Sequence, residues 1–314
     1  MGVMINGMYQ TEDPGPGTTS KGAYERTRSS LRNWVTATGP FTPEPSRYHL
    51  IVAWNCPWAH RTLLARALLN LTDIAISVAL PARTDQGWVF AATGPHADPL
   101  MGARAVHEVY ARQDPPYTGR ITVPVLWDTH TEQIVSNESA DITRMMTTVF
   151  DPDRKLVPAP LEDDIDRWNT MIHSRINNGV YRAGFARTQD AYDAAVTDLF
   201  AALDEIDAHL ATQATLTGDT VTEADLRLFP TLARFDVAYH YAFKCNLARL
   251  SDHEHLWDYA RAFHALPGVA DTVKPDIYKA GYFSRSELRN PLGIVPAGPK
   301  VDWSARTTRT LRLP

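Results

Sequence analysis

The sequence predicts an α/β domain followed by an all-helical domain. Three observations carry that prediction. The run YHLIVAW ends at an Asn55–Cys56–Pro57 junction, passes into a helical pattern, and is followed by a second β-rich run, IAISVAL. Further on, ITVPVLWD and QIV are separated by a short polar turn and lead into another helical stretch. From about Pro160 onward the apolar residues recur at helical spacing, the mark of amphipathic helices.

Residues 1–46 are rich in Gly, Pro, Thr and Ser. They read as an extended N-terminal arm, broken by one amphipathic piece around Tyr24–Thr36. Such an arm is either disordered or wraps its own domain or a partner. Residues 47–155 read as the α/β domain. Its first strand opens at Tyr48, and a helix follows over Pro57–Leu71, with proline in the first turn, where its missing N–H is not needed. Ala59, Leu63, Ala67 and Leu68 form the apolar stripe of that helix. A helix connecting two strands implies a parallel pair, so IAISVAL at residues 74–80 completes a β-α-β unit.

A loop-rich region, Pro81–Pro99, leads to a helical pattern over Ala103–Arg112. Strands Ile121–Trp127 and Gln133–Val135 form a hairpin through the turn Asp128–Thr131, and a helix opens near Ser136–Glu138. The order β-α-β, then helix, β-β-α, is the thioredoxin-like arrangement. Pro124 lies inside a strand that otherwise looks central, which points to an edge, a bulge or a cis bond.

Residues 156–280 read as the all-helical domain. Ile165, Trp168, Ile172 and Ile176 share one face, and Asn177–Asn178–Gly179 is expected to stop that helix. Tyr192, Val196, Leu199, Leu203, Ile206 and Leu210 sustain a long helix. Thr222-x-x-Asp225 has the form of a capping box, with Val221 and Leu226 placed as a hydrophobic staple. Further helices are expected over Glu223–Ala242 and His255–Leu266. Residues 281–314 return to Pro, Gly and polar residues as a C-terminal tail.

Composition bounds the function. The 314 residues are 44% hydrophobic and 21% charged, with a net charge of −5, so the chain lacks the basic excess that nucleic-acid and anionic-membrane surfaces need. No stretch approaches the roughly 18 apolar residues of a membrane span. MGVMINGMYQTEDPG has no basic region followed by an apolar run, so no signal peptide is expected. Two cysteines make no disulfide framework, and a cytoplasmic location with free thiols is expected. No His, Cys, Asp or Glu cluster has metal-ligand spacing, so no metal site is expected.

Cys56 is the residue with the clearest chemistry. Its strand–Cys–Pro–helix placement puts it at a helix N-cap, where free N–H groups and the macrodipole favour an anion. His60 and Arg61, one turn on, add positive potential, although His60 reads equally well as a structural histidine. A free thiol has a pKa of about 8.5, so Cys56 is expected to be partly ionised at neutral pH, as thiol–disulfide exchange requires. The position three residues later, which a dithiol motif fills with its resolving cysteine, is Ala59. A thiol without an internal partner must be resolved by an external one. Cys245, in helical surroundings without such placement, reads as a packed core thiol.

The blocks RYHLIVAWNCPWAHRT, ITVPVLWD, IVSNESADITRM, NNGVYRAGFA, VTEADLRLF, RFDVAYHYAFKCNL and NPLGIVP, in this order from about Lys21 to Gly298, resemble the glutathionyl-hydroquinone reductases, the Xi class of glutathione transferases. The resemblance implies the glutathione transferase fold: a thioredoxin-like domain, an all-α domain and a homodimer. It implies a reaction in which a glutathionyl-hydroquinone and a thiol give the hydroquinone and a disulfide. Cys56 matches the family's catalytic cysteine. Trp88 matches a tryptophan that packs on glutathione, Arg120 a residue that contacts it, and Val123 the residue whose backbone would pair with it like an added strand. Glu138 and Ser139 match the pair holding the γ-glutamyl end. Tyr181 and Tyr282 match tyrosines that line the hydroquinone pocket. Without the resemblance, Trp88 reads as a core aromatic, Arg120 as a solvated charge, Glu138 and Ser139 as N-caps, and the tyrosines as buried phenols.

Three segments depart from the family's pattern, one of them Ala91–Met101, which is short and differs. The loop before the tryptophan usually reads ENGW and here reads TDQGW. The tail usually reads YYRSH and here reads YFSRS over Tyr282–Ser286. The expected co-substrate is therefore glutathione or a related thiol such as mycothiol, without a metal. The expected activity is cysteine-dependent reductive deglutathionylation. The alternatives are a mycothiol-dependent or general thiol transferase, a dehydroascorbate-type reductase, or a non-catalytic binding module of the same fold.

Overall fold

The computed structural model describes residues 2–12, 17–25, 28–153, 155–287 and 289–314. The chain divides into two compact units, Met1–Gly15 with Thr27–Pro152 and Pro16–Arg26 with Asp153–Pro314.

The segment expected to be an extended arm carries two small ladders. Strand β1 (Val3–Ile5) runs antiparallel to β2 (Met8–Gln10) through an Asn6–Gly7 turn. Both turn residues have positive φ, the signature of a tight hairpin. Strand β3 (Gly17–Thr18) pairs antiparallel with β4 (Tyr24–Glu25). The first ladder belongs to the first unit and the second to the second. The amphipathic piece read around Tyr24–Thr36 includes residues 26 and 27, which lie outside the described residues.

In the first unit, β5 (Tyr48–Ala53) is buried along its whole length. It leads into α1 (Pro57–Leu68) and then β6 (Ala75–Ala79), which pairs parallel with β5 in register His49 to Ala75. After α2 (Val106–Tyr110) and β7 (Gly119–Arg120) come β8 (Val125–Asp128), β9 (Gln133–Ser136) and α3 (Ser139–Thr148). The main sheet has the order β6-β5-β8-β9, with only β5 and β6 parallel. The strand expected over Ile121–Trp127 starts later, after Pro124, which has no N–H to give a ladder; the Val123–Pro124 bond is cis. The apolar stripe expected on α1 is too narrow. Every residue from Pro57 to Ala65 is buried, His60 and Arg61 included, while Ala67 and Leu68 are half-buried. Helix α1 packs against α3 as well as β5, so its first turns have no solvent face.

In the second unit, α4 (Glu162–Met171) does not stop at Asn177–Asn178–Gly179. It passes through a π-helical stretch, Ile172–Asn177, into α5 (Gly179–Gly184). Asn178 keeps helical angles. The Asn177 amide donates sideways to the Arg227 carbonyl at 3.0 Å and to Thr231 Oγ1 at 2.8 Å, so it serves packing and not termination. Helix α6 (Gln189–Leu210) follows, capped by Thr188. Helix α7 (Glu223–Leu232) opens with the expected capping box of Thr222 and Asp225. The single helix expected over Glu223–Ala242 is broken after Leu232. A π-helical turn, Phe235–Tyr239, leads into the short α8 (His240–Ala242). Helix α9 (Glu254–His264) is followed by α10 (Pro275–Tyr282), which the sequence pattern did not reveal. The tail ends on the helices: Arg309 donates to the carbonyls of Leu210, Gln213 and Ala214 at the end of α6. Among the described residues no helix is long and apolar enough to cross a membrane.

Candidate active site

Cys56 is the N-cap of α1, with extended backbone angles (φ −82°, ψ 116°) and Pro57 at the first helical position. Its side chain makes no cap bond. The Sγ instead lies 3.4 Å from the carbonyl of Val123, toward which the thiol donates. The sulfur is thus held between a helix N-terminus and the segment before β8, in a half-buried residue. Ala59, one turn on, is fully buried. Cys245, in the second unit, is fully buried, and burial pushes its thiol pKa far upward. A group so placed does not ionise near neutrality.

Ser139 and Glu138 meet at the start of α3. The Glu138 carboxylate accepts from the Ala140 N–H at 3.2 Å, and Ser139 Oγ lies 3.5 Å from it. The guanidinium of Arg61, buried in α1, donates to Ser139 Oγ at 3.3 Å and lies 4.6 Å from the Trp58 ring. The sequence marks Arg61 only as a source of positive potential near Cys56. The fold uses it to tie the start of α1 to the start of α3. An N-terminus that carries free N–H groups, a hydroxyl and a guanidinium can bind a carboxylate.

Trp88 is buried, with the Arg83 guanidinium 5.3 Å from its ring. Its carbonyl accepts from the Val106 N–H at the start of α2. Arg120 is half-buried on β7, and its carbonyl accepts from the Tyr117 hydroxyl. Beneath Thr122, the fully buried Tyr110 donates its hydroxyl to the Thr122 carbonyl at 2.8 Å and accepts from Asn137 at 3.0 Å. This pillar fixes the backbone that carries Val123. Cys56 and Val123 are therefore brought together, as are Glu138 and Ser139, while Trp88 and Arg120 stand on separate segments of the same unit.

The second unit holds Tyr181 on α5 and Tyr282 at the end of α10, with their hydroxyls 3.0 Å apart. A third phenol, Tyr239, stands 3.0 Å from the Tyr282 hydroxyl. Tyr239 escaped the sequence reading because an aromatic at helical spacing looks like any core residue. The π-helical turn that carries it, a feature frequent at functional sites, has no such signal in periodicity. Burial raises the pKa of Tyr239 and of Tyr282 well above the ordinary phenol value, while the positive charge of buried Arg234 opposes that rise at both. The rings of Phe185 and Phe243 complete the cluster, with the Arg289 guanidinium 4.7 Å from Phe185. Such protonated phenols can donate hydrogen bonds to an oxygen on which negative charge develops. Among the described residues no three His, Cys, Asp or Glu side chains are grouped to hold a metal ion.

Residues 55–149 match the family of the glutathione S-transferase N-terminal domain, and residues 189–262 that of the C-terminal domain. Glutathionyl-hydroquinone reductase YqjG of Escherichia coli is 41% identical over 332 residues, covering 99% of each chain. Among solved structures, an Xi-class glutathione transferase from Natrialba magadii superposes with a TM-score of 0.90 at 41% identity, covering 98% of this chain and 96% of that one. The glutathione-bound structure of Escherichia coli YqjG gives a TM-score of 0.85 at 42% identity, covering 89% and 96%.

Proposed function

The chain belongs to the glutathionyl-hydroquinone reductases, the Xi class of the glutathione transferases, and from that premise we propose that it reduces glutathionyl-hydroquinones through a mixed disulfide on Cys56. The observation that carries the reading is the half-buried Cys56 thiol at the N-cap of α1, beside the Val123 carbonyl and without a second cysteine one turn away.

The Cys56 thiolate attacks the sulfur of the conjugate. The conjugate reacts as its keto tautomer, in which the hydroxyl's proton has moved to the sulfur-bearing ring carbon. The new S–S bond joins Cys56 to glutathione, and the bond from sulfur to that carbon breaks. Its electron pair restores the aromatic ring and leaves negative charge on the quinol oxygen, which takes up a proton. The hydroquinone leaves. A second glutathione thiolate then attacks the mixed disulfide, releasing oxidised glutathione and restoring the Cys56 thiolate. The two-step course is nucleophilic catalysis with ping-pong kinetics. Tyr181 and Tyr282 donate to the quinol oxygen while charge builds on it, and Tyr239 fixes the Tyr282 hydroxyl. Val123 offers its backbone to the tripeptide as an added strand would. Ser139 and Glu138 hold the γ-glutamyl end, Trp88 packs on the tripeptide, and Arg120 meets its charge. Glutathione suits this donor set, since the Arg61–Ser139 pair at a helix N-terminus matches a carboxylate. The protein is taken to work as a cytoplasmic homodimer, which light scattering and fractionation test.

Glutathionyl- and mycothiyl-menadiol are offered to the wild type and to Cys56→Ala. Turnover of the glutathionyl conjugate by the wild type alone is expected. Equal rates for the two proteins would falsify the mechanism, and turnover of the mycothiyl conjugate alone would reassign the thiol.

A further inference from the structure

The turn that carries Trp88 is anchored at its base, where the Val106 N–H donates to the Trp88 carbonyl and the Leu80 N–H to the Val89 carbonyl, but its tip lies open. Residues 82–85 are exposed, and the turn is closed by two reciprocal bonds of 3.0 Å between Thr84 and Gly87, with Gly87 at φ +73°. Exposed segments with few buried contacts open most readily. Here the N-terminal hairpin holds it. Tyr9, on β2, donates its hydroxyl to the Asp85 carbonyl at 2.5 Å. Its ring stacks on His107, with centroids 4.1 Å apart and planes 11° from parallel. The Nε2 of that same His107 is 3.0 Å from Gln86 Oε1, so the imidazole, itself on α2, ties the stacked pair to a second residue of the turn. Asp85 and Gln86 are the residues by which the TDQGW loop departs from its family's usual reading.

The same hairpin reaches the other thiol-side segment. In its three-stranded sheet, β7 pairs with β1 alone, in register Val3 to Arg120 and Met4 to Gly119. Met4 is fully buried, and Gly7 and Asn6 donate to Tyr117 and Thr118 just before β7. One short hairpin thus bridges the turn before Trp88 and the strand of Arg120.

We propose that the N-terminal hairpin is a positioning element of the thiol site: through Tyr9 it fixes the Thr84–Trp88 turn, through β1 it fixes Arg120, and it thereby sets the affinity for the thiol's tripeptide. The proposal rests on the reading that Trp88 and Arg120 bind glutathione. Tyr9 touches no reacting atom, so the effect falls on binding and not on the exchange step.

The test is calorimetric titration of S-methylglutathione into the full-length wild type, Tyr9→Ala, Tyr9→Phe and His107→Ala. Turnover of glutathionyl-menadiol is measured in parallel, with subsaturating glutathione or with 2-mercaptoethanol as the resolving thiol. We expect Tyr9→Ala and His107→Ala to weaken binding about tenfold and Tyr9→Phe, which keeps the stack, about threefold. The rate with 2-mercaptoethanol at saturating conjugate stays the same, because that thiol has no tripeptide to place. An unchanged dissociation constant in Tyr9→Ala overturns the proposal, and so does an equal loss with both thiols, which marks general destabilisation. If Tyr9→Ala fails to fold, Tyr9→Phe and His107→Ala decide by the same criteria. Wild-type binding without turnover of the conjugate defeats the reaction reading and leaves the hairpin's role standing.

Discussion

The hydroxyl of Tyr282 stands 3.0 Å from that of Tyr239, and the Tyr239 ring is buried completely. Tyr282 also meets Tyr181 at 3.0 Å, so the three phenols form a chain with Tyr282 in the middle. Tyr239→Phe removes one end and leaves the packing nearly unchanged. A lost hydrogen bond of this kind is worth about 1 kcal/mol, so kcat is expected to fall roughly five- to tenfold at constant KM for the thiol. Tyr282→Phe removes the central donor, and a loss of about a hundredfold is expected, the scale of an oxyanion-stabilising group. Steady-state rates with glutathionyl-menadiol check both. Equal, small effects for the two variants would remove the phenol chain from the mechanism.

The two cysteines differ enough to be counted chemically. Cys56 is half-buried at a helix N-terminus, whereas Cys245 is buried and its thiol pKa is pushed far up. Iodoacetamide at neutral pH is expected to modify one thiol per chain, on Cys56, and two after unfolding in urea. Peptide mass spectrometry locates the label. Native-state labelling of Cys245 at a comparable rate contradicts the packing described for it.

What the sequence disclosed and what it hid follow from the range of the physics involved. Cys56 was legible because its signals are local: a β-rich run, a proline at the first helical position and Ala59 where a second thiol would stand. The Thr222–Asp225 box was legible for the same reason, since four consecutive residues encode it. Asn177–Asn178–Gly179 misled because its local preference for ending a helix is overridden by the Asn177 bonds to Arg227 and Thr231, far along the chain. Helix α10 has only eight residues and little periodicity to display. The β1–β2 hairpin was hidden because three-residue strands have no usable alternation and β7, its partner, is remote in sequence.

A buried histidine makes the first unit acid-sensitive. His49 on β5 is 2.7 Å from Ser77 Oγ, and Ser77 gives its proton to Asp98 at 2.5 Å. Ser77 therefore accepts from His49, which is neutral and protonated on Nε2. Burial lowers the His49 pKa to about 4, with the Asp98 charge opposing that shift. The unfolded chain binds a proton at about 6.5. Between those values the unfolded state binds more protons than the folded one, so stability rises with pH. The contribution is complete above about pH 6.5 and is lost as pH falls toward 4, at most about 3 kcal/mol. Urea unfolding at pH 7.5 and 5.0 measures it. His49→Gln should flatten the pH dependence in that window, and an unaltered slope would assign the acid sensitivity elsewhere.

The start of α7 concentrates stability in one carboxylate. Asp225 is fully buried and accepts from the Thr222 N–H at 2.7 Å, the Leu216 N–H at 3.2 Å and the Tyr259 hydroxyl at 2.7 Å. Burial pushes its carboxyl pKa up, while these bonds pull it down. Asp225→Ala removes the acceptor of these three buried donors and of the Thr222 hydroxyl, which keeps Thr217 as a partner, and each donor left unpaired costs about 1–3 kcal/mol. A loss of at least about 3 kcal/mol is expected, against about 1 kcal/mol for Tyr259→Phe, which removes one donor and its bond together. In the Asp225→Ala background, Tyr259→Phe should cost less than it does alone, or even stabilise, because the phenol has already lost its partner. Urea denaturation of the four proteins gives the coupling. Additive losses, or a loss under 1 kcal/mol for Asp225→Ala, would mean that the helix start is held by the packing of Val221 and Leu226 and not by the carboxylate.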